Sequence, residues 1–168
     1  MVEINPSITF LRPVESEISL AFRKVFSVLE PEEEGFLLKS ADQHLYQAGE
    51  VIIRQNEQLT ALYVIIDGDA RVELTRDNNE GGDTIELAHL RRGDIFGEVS
   101  FVDHQPTSAS VIAETDVEAL VVAEDVIRAL FFADSTFAQR FYHSIAITLA
   151  KRLRETNPKV LISAGTSH

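Results

Sequence analysis

The strongest constraint on the fold is a change of period along the chain, from helical to strand-like and back. Ile18, Phe22, Val25, Phe26 and Leu29 recur at spacings of three and four, which gathers them on one helix face. Pro31 suits the first turn of a second helix, and Glu32, Glu33 and Glu34 suit its positive end. That helix is expected to run to about Lys39. From Asp42 to about Ala123 the apolar runs become short and β-rich, and glycines and polar clusters punctuate them. Val51–Ile53, Leu62–Ile66, Arg71–Leu74, Thr84–Leu90, Ser110–Ala113 and Val117–Val122 read as strands. Asp67-Gly68-Asp69 reads as a hairpin turn, and Asp77 to Asp83 as a solvated tip. In the fourth of these runs Ile85, Leu87 and Ala88 are the candidates for the inner face. The helical period then returns, in a short helix from Glu124 to Phe132 and a long one from Ser135 to about Asn157, which Pro158 should end.

About eight short strands at close spacing, flanked by helices, predict an antiparallel jelly-roll-type β-barrel with N-terminal helices and a long C-terminal helix. The chain of 168 residues is enough for one such domain and too short for two comfortable ones. It divides into an N-terminal helical segment (1–40), the barrel (41–123), the C-terminal helices (124–157) and a tail (158–168) expected to be disordered from Ser163 onward. The long helix is apolar on two sides. Phe137, Phe141, Ile145 and Leu149 lie four apart, while Tyr142, Ala146, Ile147 and Ala150 are also apolar. One side can pack on the barrel; the other asks for a second copy, so a homodimer is expected.

Charge and composition narrow the function. Twenty-seven acidic against fifteen basic residues give a net charge of −12, a field that repels DNA. Only eleven residues follow Asn157, too few for a DNA-reading helix-turn-helix. No basic n-region precedes an apolar run, no apolar stretch reaches the roughly 20 residues of a membrane span, and cysteine is absent. A cytoplasmic location without membrane insertion is expected. Any anionic ligand needs a local trap working against the overall field.

One stretch carries chemistry. Arg92-Gly93-Asp94-Ile95-Phe96-Gly97-Glu98-Val99-Ser100-Phe101 is followed, eight residues after Glu98, by Pro106-Thr107-Ser108-Ala109-Ser110-Val111. The ordered series Gly-Asp-x-Phe-Gly-Glu and then Pro-x-Ser-Ala-Ser-Val resembles the phosphate-binding cassette of the cyclic-nucleotide-binding domain family, the fold of cAMP-responsive bacterial regulators and kinase regulatory subunits. The resemblance spans about Asp42 to Asn157, and takes in Gly49, Gly68, Gly93 and Gly97 and the helices at both ends. It implies a ligand such as cAMP, cGMP or a related anion, bound against Phe96 to Ser100. Gly97 would let the backbone approach the sugar-phosphate. Glu98 would accept a hydrogen bond from the ribose 2′-hydroxyl, at the head of a short helix containing Val99 and Ser100. Ser108 and the backbone N–H of Ala109 match the positions that hold the cyclic phosphate.

The cassette departs from the family at Thr107, where the family's phosphate-pairing arginine is expected. Threonine offers neither the fixed charge nor the two-pronged donor geometry of a guanidinium. The cassette itself supplies no replacement charge, and Arg54 or Arg71 would have to reach in from adjacent strands. A second match lies in Ala150 to Asn157, which resembles the dimer helix of the bacterial regulators. It implies that Thr156 reaches the purine and that the partner subunit's copy of the next position, Asn157 here, reaches the same base.

Five histidines do not cluster as cupin metal ligands do. His44, His89, His104 and His143 are separated, His168 is terminal, and only a convergence of His44 with His89 in space would alter that. No catalytic elbow, P-loop or paired-carboxylate pattern is present, so no enzyme, cofactor or metal is expected. Two readings follow. In one, a ligand docks on the cassette and repositions the long helix to signal to an output protein that the sequence does not identify. In the other, a degenerate domain keeps the fold for protein–protein interaction or dimerisation.

Overall fold

Two strands organise the core because both of their faces are buried. In the computed structural model, which describes residues 13–76 and 82–164, β3 (Ala61–Asp67) pairs antiparallel with β8 (Val117–Ala123). Leu62, Val64, Ile66, Leu120 and Val122 point to one side, into a cluster with the helices. Ile65, Val117 and Ala119 point to the other, into a cluster between the sheets. The period of two sends alternate residues to opposite faces, so a strand between two apolar layers must be apolar throughout. That is why Leu62–Ile66 is unbroken.

Around this pair stand two four-stranded antiparallel sheets. One has the order β1–β8–β3–β6, with β1 at Asp42–Tyr46 and β6 at Ile95–Phe96. The other has the order β2–β7–β4–β5, with β2 at Val51–Ile53, β4 at Ala70–Arg76, β5 at Asp83–Leu90 and β7 at Ser110–Ala113. The expected mainly-β fold with flanking helices is thus observed. The strands at 42–46 and 95–96 lacked a readable pattern: the first is largely exposed, and the second is only two residues long. In β5, Ile85, Leu87 and Ala88 are all exposed rather than buried in the core. A register irregularity between Val72 and Glu73 pairs Val72 with Ala88 and Glu73 with Glu86, leaving Leu87 unpaired and breaking the simple alternation. Of the expected tip between β4 and β5, residues 77–81 lie outside the described residues.

Helices α1 (Pro13–Val25), α2 (Pro31–Lys39), α4 (Glu124–Ala133) and α5 (Ser135–Ala164) cover the outer face of the β3–β8 pair. Phe22, Phe26, Phe137 and Phe141 are fully buried there, with Phe26 stacked on Phe141 at 5.4 Å between centroids. The first half of α5 is fastened firmly. Ser144, wholly buried, accepts the Val28 N–H at 3.1 Å and donates to the Arg140 carbonyl, and Arg140 bonds Glu33 of α2 at 2.9 Å. The helix does not stop at Pro158; it continues to Ala164, beyond the expected start of a disordered tail at Ser163. A proline deprives only one carbonyl, that of Arg154, of its donor. Arg154 is exposed, so that carbonyl is open to solvent rather than stranded in a core. Among the described residues no helix is long and apolar enough to cross a membrane.

The turns at one end of the barrel lock together through Gly68. It adopts φ +85°, and the Asp116 carbonyl oxygen stands 2.1 Å from where a β-carbon would be. Thr115 Oγ1 accepts the Asp69 N–H at 3.0 Å, and the Glu114 N–H reaches the Asp69 carbonyl. Gly68→Ala should therefore lower stability by about 3 kcal/mol, from left-handed strain together with the clash. Urea unfolding measures it, and a loss within about 0.5 kcal/mol would mean that the turn relaxes freely.

Candidate functional site

A cavity of about 260 Å³ opens between the β2–β7–β4–β5 sheet, the cassette and α5. The sheet contributes Ile53, Val72, Ala88, Leu90 and Val111; α5 contributes Leu149 and Arg152. The cassette contributes the rest, and all eight expected cassette residues line it: Phe96, Gly97, Glu98, Val99 and Ser100 on one wall, Thr107, Ser108 and Ala109 on the other. Thr156 and Asn157 lie on the backbone of α5, but their side chains lie outside the described residues.

The cassette is placed by its turns. Arg91 to Asp94 docks on α1, where Lys24 Nζ lies 3.6 Å from Asp94 and donates to the Arg92 carbonyl, and Arg92 bonds Asp67 at 2.6 Å and Glu17 at 3.2 Å. The short helix α3 (Glu98–Asp103) then starts at Gly97 with φ +85°. A β-carbon at Gly97 would sit 2.6 Å from Leu59 Cδ2 and 3.1 Å from the Ala61 carbonyl oxygen. The glycine is thus required by its backbone conformation and by close approach to the strand behind it, as well as by its place on the wall.

Glu98 is 3% exposed. Burial pushes its carboxyl above the usual carboxylate range, and the Arg152 charge pulls it part of the way back. Arg152 reaches across the cavity from α5 and donates to Glu98 Oε1 and to the Ile95 carbonyl. The oxygen expected to receive a ribose hydroxyl is therefore held by a guanidinium of the same chain. Sequence reasoning overlooked Arg152. Its signal was present, a cation one helical turn before Thr156, on the face that carries Leu149 toward the barrel.

Thr107 is buried and bonded at every polar atom. Its Oγ1 donates to the Arg54 carbonyl at 2.6 Å and accepts the Glu57 N–H at 3.0 Å. Its N–H donates to the Glu57 carbonyl and its carbonyl accepts the Asn56 N–H. Thr107, where the resemblance leads one to expect an arginine, thus staples the turn at 54–57 to the cassette. Neither Arg54 nor Arg71 compensates for the missing arginine. Arg54 lies along a separate polar groove with Gln55 and Asn56, and Arg71 pairs with Glu73.

Among the described residues, His44 and His89 do not converge. His44 sits on β1 near Tyr46, in the other sheet from His89 on β5. His89 lies between Glu86 and Glu114, at 2.8 and 3.0 Å, and the hydrogen bond and charge of Glu114, with the charge of Glu86, push its imidazole pKa up. Both ring nitrogens face carboxylates, the arrangement of an exposed ion-pair network.

Comparison with known proteins agrees with this geometry. The family model for the cyclic nucleotide-binding domain matches residues 43–134. The cyclic AMP receptor protein of Thermus thermophilus is 35% identical over 133 residues, 79% of this chain and 58% of that protein. The cAMP-dependent protein kinase regulatory subunit of Aspergillus fumigatus is 35% identical over 94 residues, 56% of this chain and 21% of that protein. The crystal structure of the Thermus thermophilus catabolite activator protein superposes with a TM-score of 0.67 at 32% identity, covering 84% of this chain and 63% of that one. The chain thus spans under two thirds of each of these relatives. A cassette in register, a barrel of eight strands and a family match over more than half the chain lead to one conclusion: this chain belongs to the cyclic nucleotide-binding domain family.

Proposed function

We propose that the chain is a ligand-gated regulatory module, in which a small molecule of the cyclic-nucleotide type enters the cavity and repositions the C-terminal part of α5. The observation that carries this reading is the Arg152–Glu98 contact, because it joins the output helix to the carboxylate that meets the ligand. A ligand hydroxyl competing for Glu98 changes what Arg152 gains by staying. A ligand shifts a helix only through unequal affinity for its two positions, and this contact supplies the inequality. The anatomy of α5 fits. Phe137, Phe141, Ser144 and Ile145 fix its first half, whereas Arg152 is the described residue of its later half that makes polar contacts to the barrel.

The test screens cAMP, cGMP and their parent nucleosides for a rise in thermal midpoint, then follows hydrogen exchange with whichever binds. Ligand at 100 times its dissociation constant stabilises by about 2.7 kcal/mol, a readable shift. Exchange in residues 150–155 should change at saturation while that around Ser144 stays constant. Binding with unchanged exchange in that segment would remove the gating mechanism.

The alternative reading, an interaction module with an unoccupied cavity, is favoured by the internal pairing of Glu98 and the spent hydroxyl of Thr107. Both readings include a homodimer through α5. Tyr142, Ala146, Ile147 and Leu153 are exposed on that helix, and Val99 and Val102 are exposed on α3. Light scattering at micromolar concentration should give a dimer, and Ile147→Asp should give a monomer with an unchanged circular dichroism spectrum. A monomeric wild-type chain would contradict the assembly.

A further inference from the structure

A second group of ligating side chains stands on the outer face of the β2–β7–β4–β5 sheet, away from the cavity. Glu86 and His89 lie on β5, and Glu114 directly follows β7. His89 Nε2 is 2.8 Å from Glu86, and its Nδ1 is 3.0 Å from Glu114. Among the described residues, no other set of three His, Asp or Glu gathers closely enough to share one ion; here the ligand atoms all lie within 4.8 Å of one another. We propose that Glu86, His89 and Glu114 form a binding site for a divalent transition-metal cation such as zinc, each residue giving one ligand atom.

The backbone brings the three together. Residues three apart on an ordinary strand point to opposite faces. The irregularity in β5 restores Glu86 and His89 to one face: they stand opposite Glu73 and Arg71, which are only two apart on β4, with Leu87 as the extra residue. The Arg71–Glu73 ion pair marks that face, while Val72 and Ala88, paired between them, line the cavity behind it. Glu114 comes from beyond the other edge of β4, and its N–H is fixed on the Asp69 carbonyl at 2.9 Å. An ion held by all three residues would staple the edge strand β5 to the end of β7.

Charge and ligand type select the ion. Two carboxylates and a neutral imidazole carry two negative charges, which a dication cancels. Arg71 is close enough to feel Glu86 and Glu114, but its own charge is matched by Glu73. The net charge of −12 draws cations toward the surface. An imidazole ligand favours zinc, nickel, cobalt or copper over magnesium and calcium, which prefer oxygen alone. One ring cannot give both nitrogens to one ion, so one of the two His89 contacts opens on binding and its carboxylate turns toward the other nitrogen. Side-chain exposures of 47% for His89, 49% for Glu86 and 29% for Glu114 leave room for that turn. Ligand atoms around one such ion stand about 3–4 Å apart, so the movement is short. Water completes the coordination.

Calorimetry of the full chain with Zn²⁺ tests the site, in buffer on the alkaline side of neutral so that protons do not compete for the ring. One ion should bind with a dissociation constant below about 100 μM. His89→Gln and Glu114→Gln should each weaken it at least about tenfold, and His44→Gln, on the other sheet, should leave it unchanged. Weaker binding by the wild type, an unaltered affinity in His89→Gln, or displacement of the ion by an equal concentration of Mg²⁺ would each overturn the proposal. Nuclear magnetic resonance of the wild type gives a reading that needs no variant to fold. Equimolar Co²⁺ should broaden the His89 ring signals and leave those of His44 sharp; sharp His89 signals would overturn the site.

Discussion

A carboxylate removed from water needs a partner, and in this domain the partner arrives from the far end of the chain. Glu98 opens a six-residue helix within the cassette; Arg152 lies 54 residues later on α5. Their contact spans the cavity, so the position of α5 and the state of the cavity cannot be set independently. The same guanidinium holds the Ile95 carbonyl, so it also fastens the helix to β6, the strand that leads into the cassette. Desolvation makes such a contact valuable once both ends are present and costly when either is missing. That asymmetry is what a binding-linked switch requires.

The barrel provides the rigid frame against which this contact works. The β3–β8 pair is buried on both faces, and the Phe22, Phe26, Phe137 and Phe141 rings fix α1 and the start of α5 on its outer side. The cavity lies on the opposite side of the pair, toward the second sheet. The first half of α5 is fixed by Phe137, Phe141, Ser144 and Ile145, and beyond it, among the described residues, Arg152 carries the polar contact to the barrel. Ser144 marks the anchor, since its buried hydroxyl takes the Val28 N–H.

Much of this was legible in the sequence because period and turn chemistry are local. Helix spacing at Ile18, Phe22 and Val25, the Asp67-Gly68-Asp69 turn and the Gly-Asp-x-Phe-Gly-Glu series each stand within a few residues and are found where expected, although α1 ends at Val25 and leaves Phe26 and Leu29 in the turn that follows. Four features were not legible, for physical reasons. The β5 irregularity at Leu87 depends on register with β4, which no single strand encodes. The continuation of α5 through Pro158 depends on the exposure of Arg154, a tertiary property. The Arg152–Glu98 contact joins distant segments, and the role of Thr107 as a staple is visible only beside the turn at 54–57.

The central claim is that Glu98 and Arg152 act as one unit, and a double-mutant cycle measures that directly. Urea unfolding at neutral pH of the wild type, Glu98→Gln, Arg152→Gln and the double variant gives their coupling energy. A desolvated, charge-assisted contact predicts a coupling of about 1.5–3 kcal/mol, with the double variant closer to wild type than the sum of the single losses implies. Additive effects within about 0.5 kcal/mol would show that the two residues act independently, and would contradict the account.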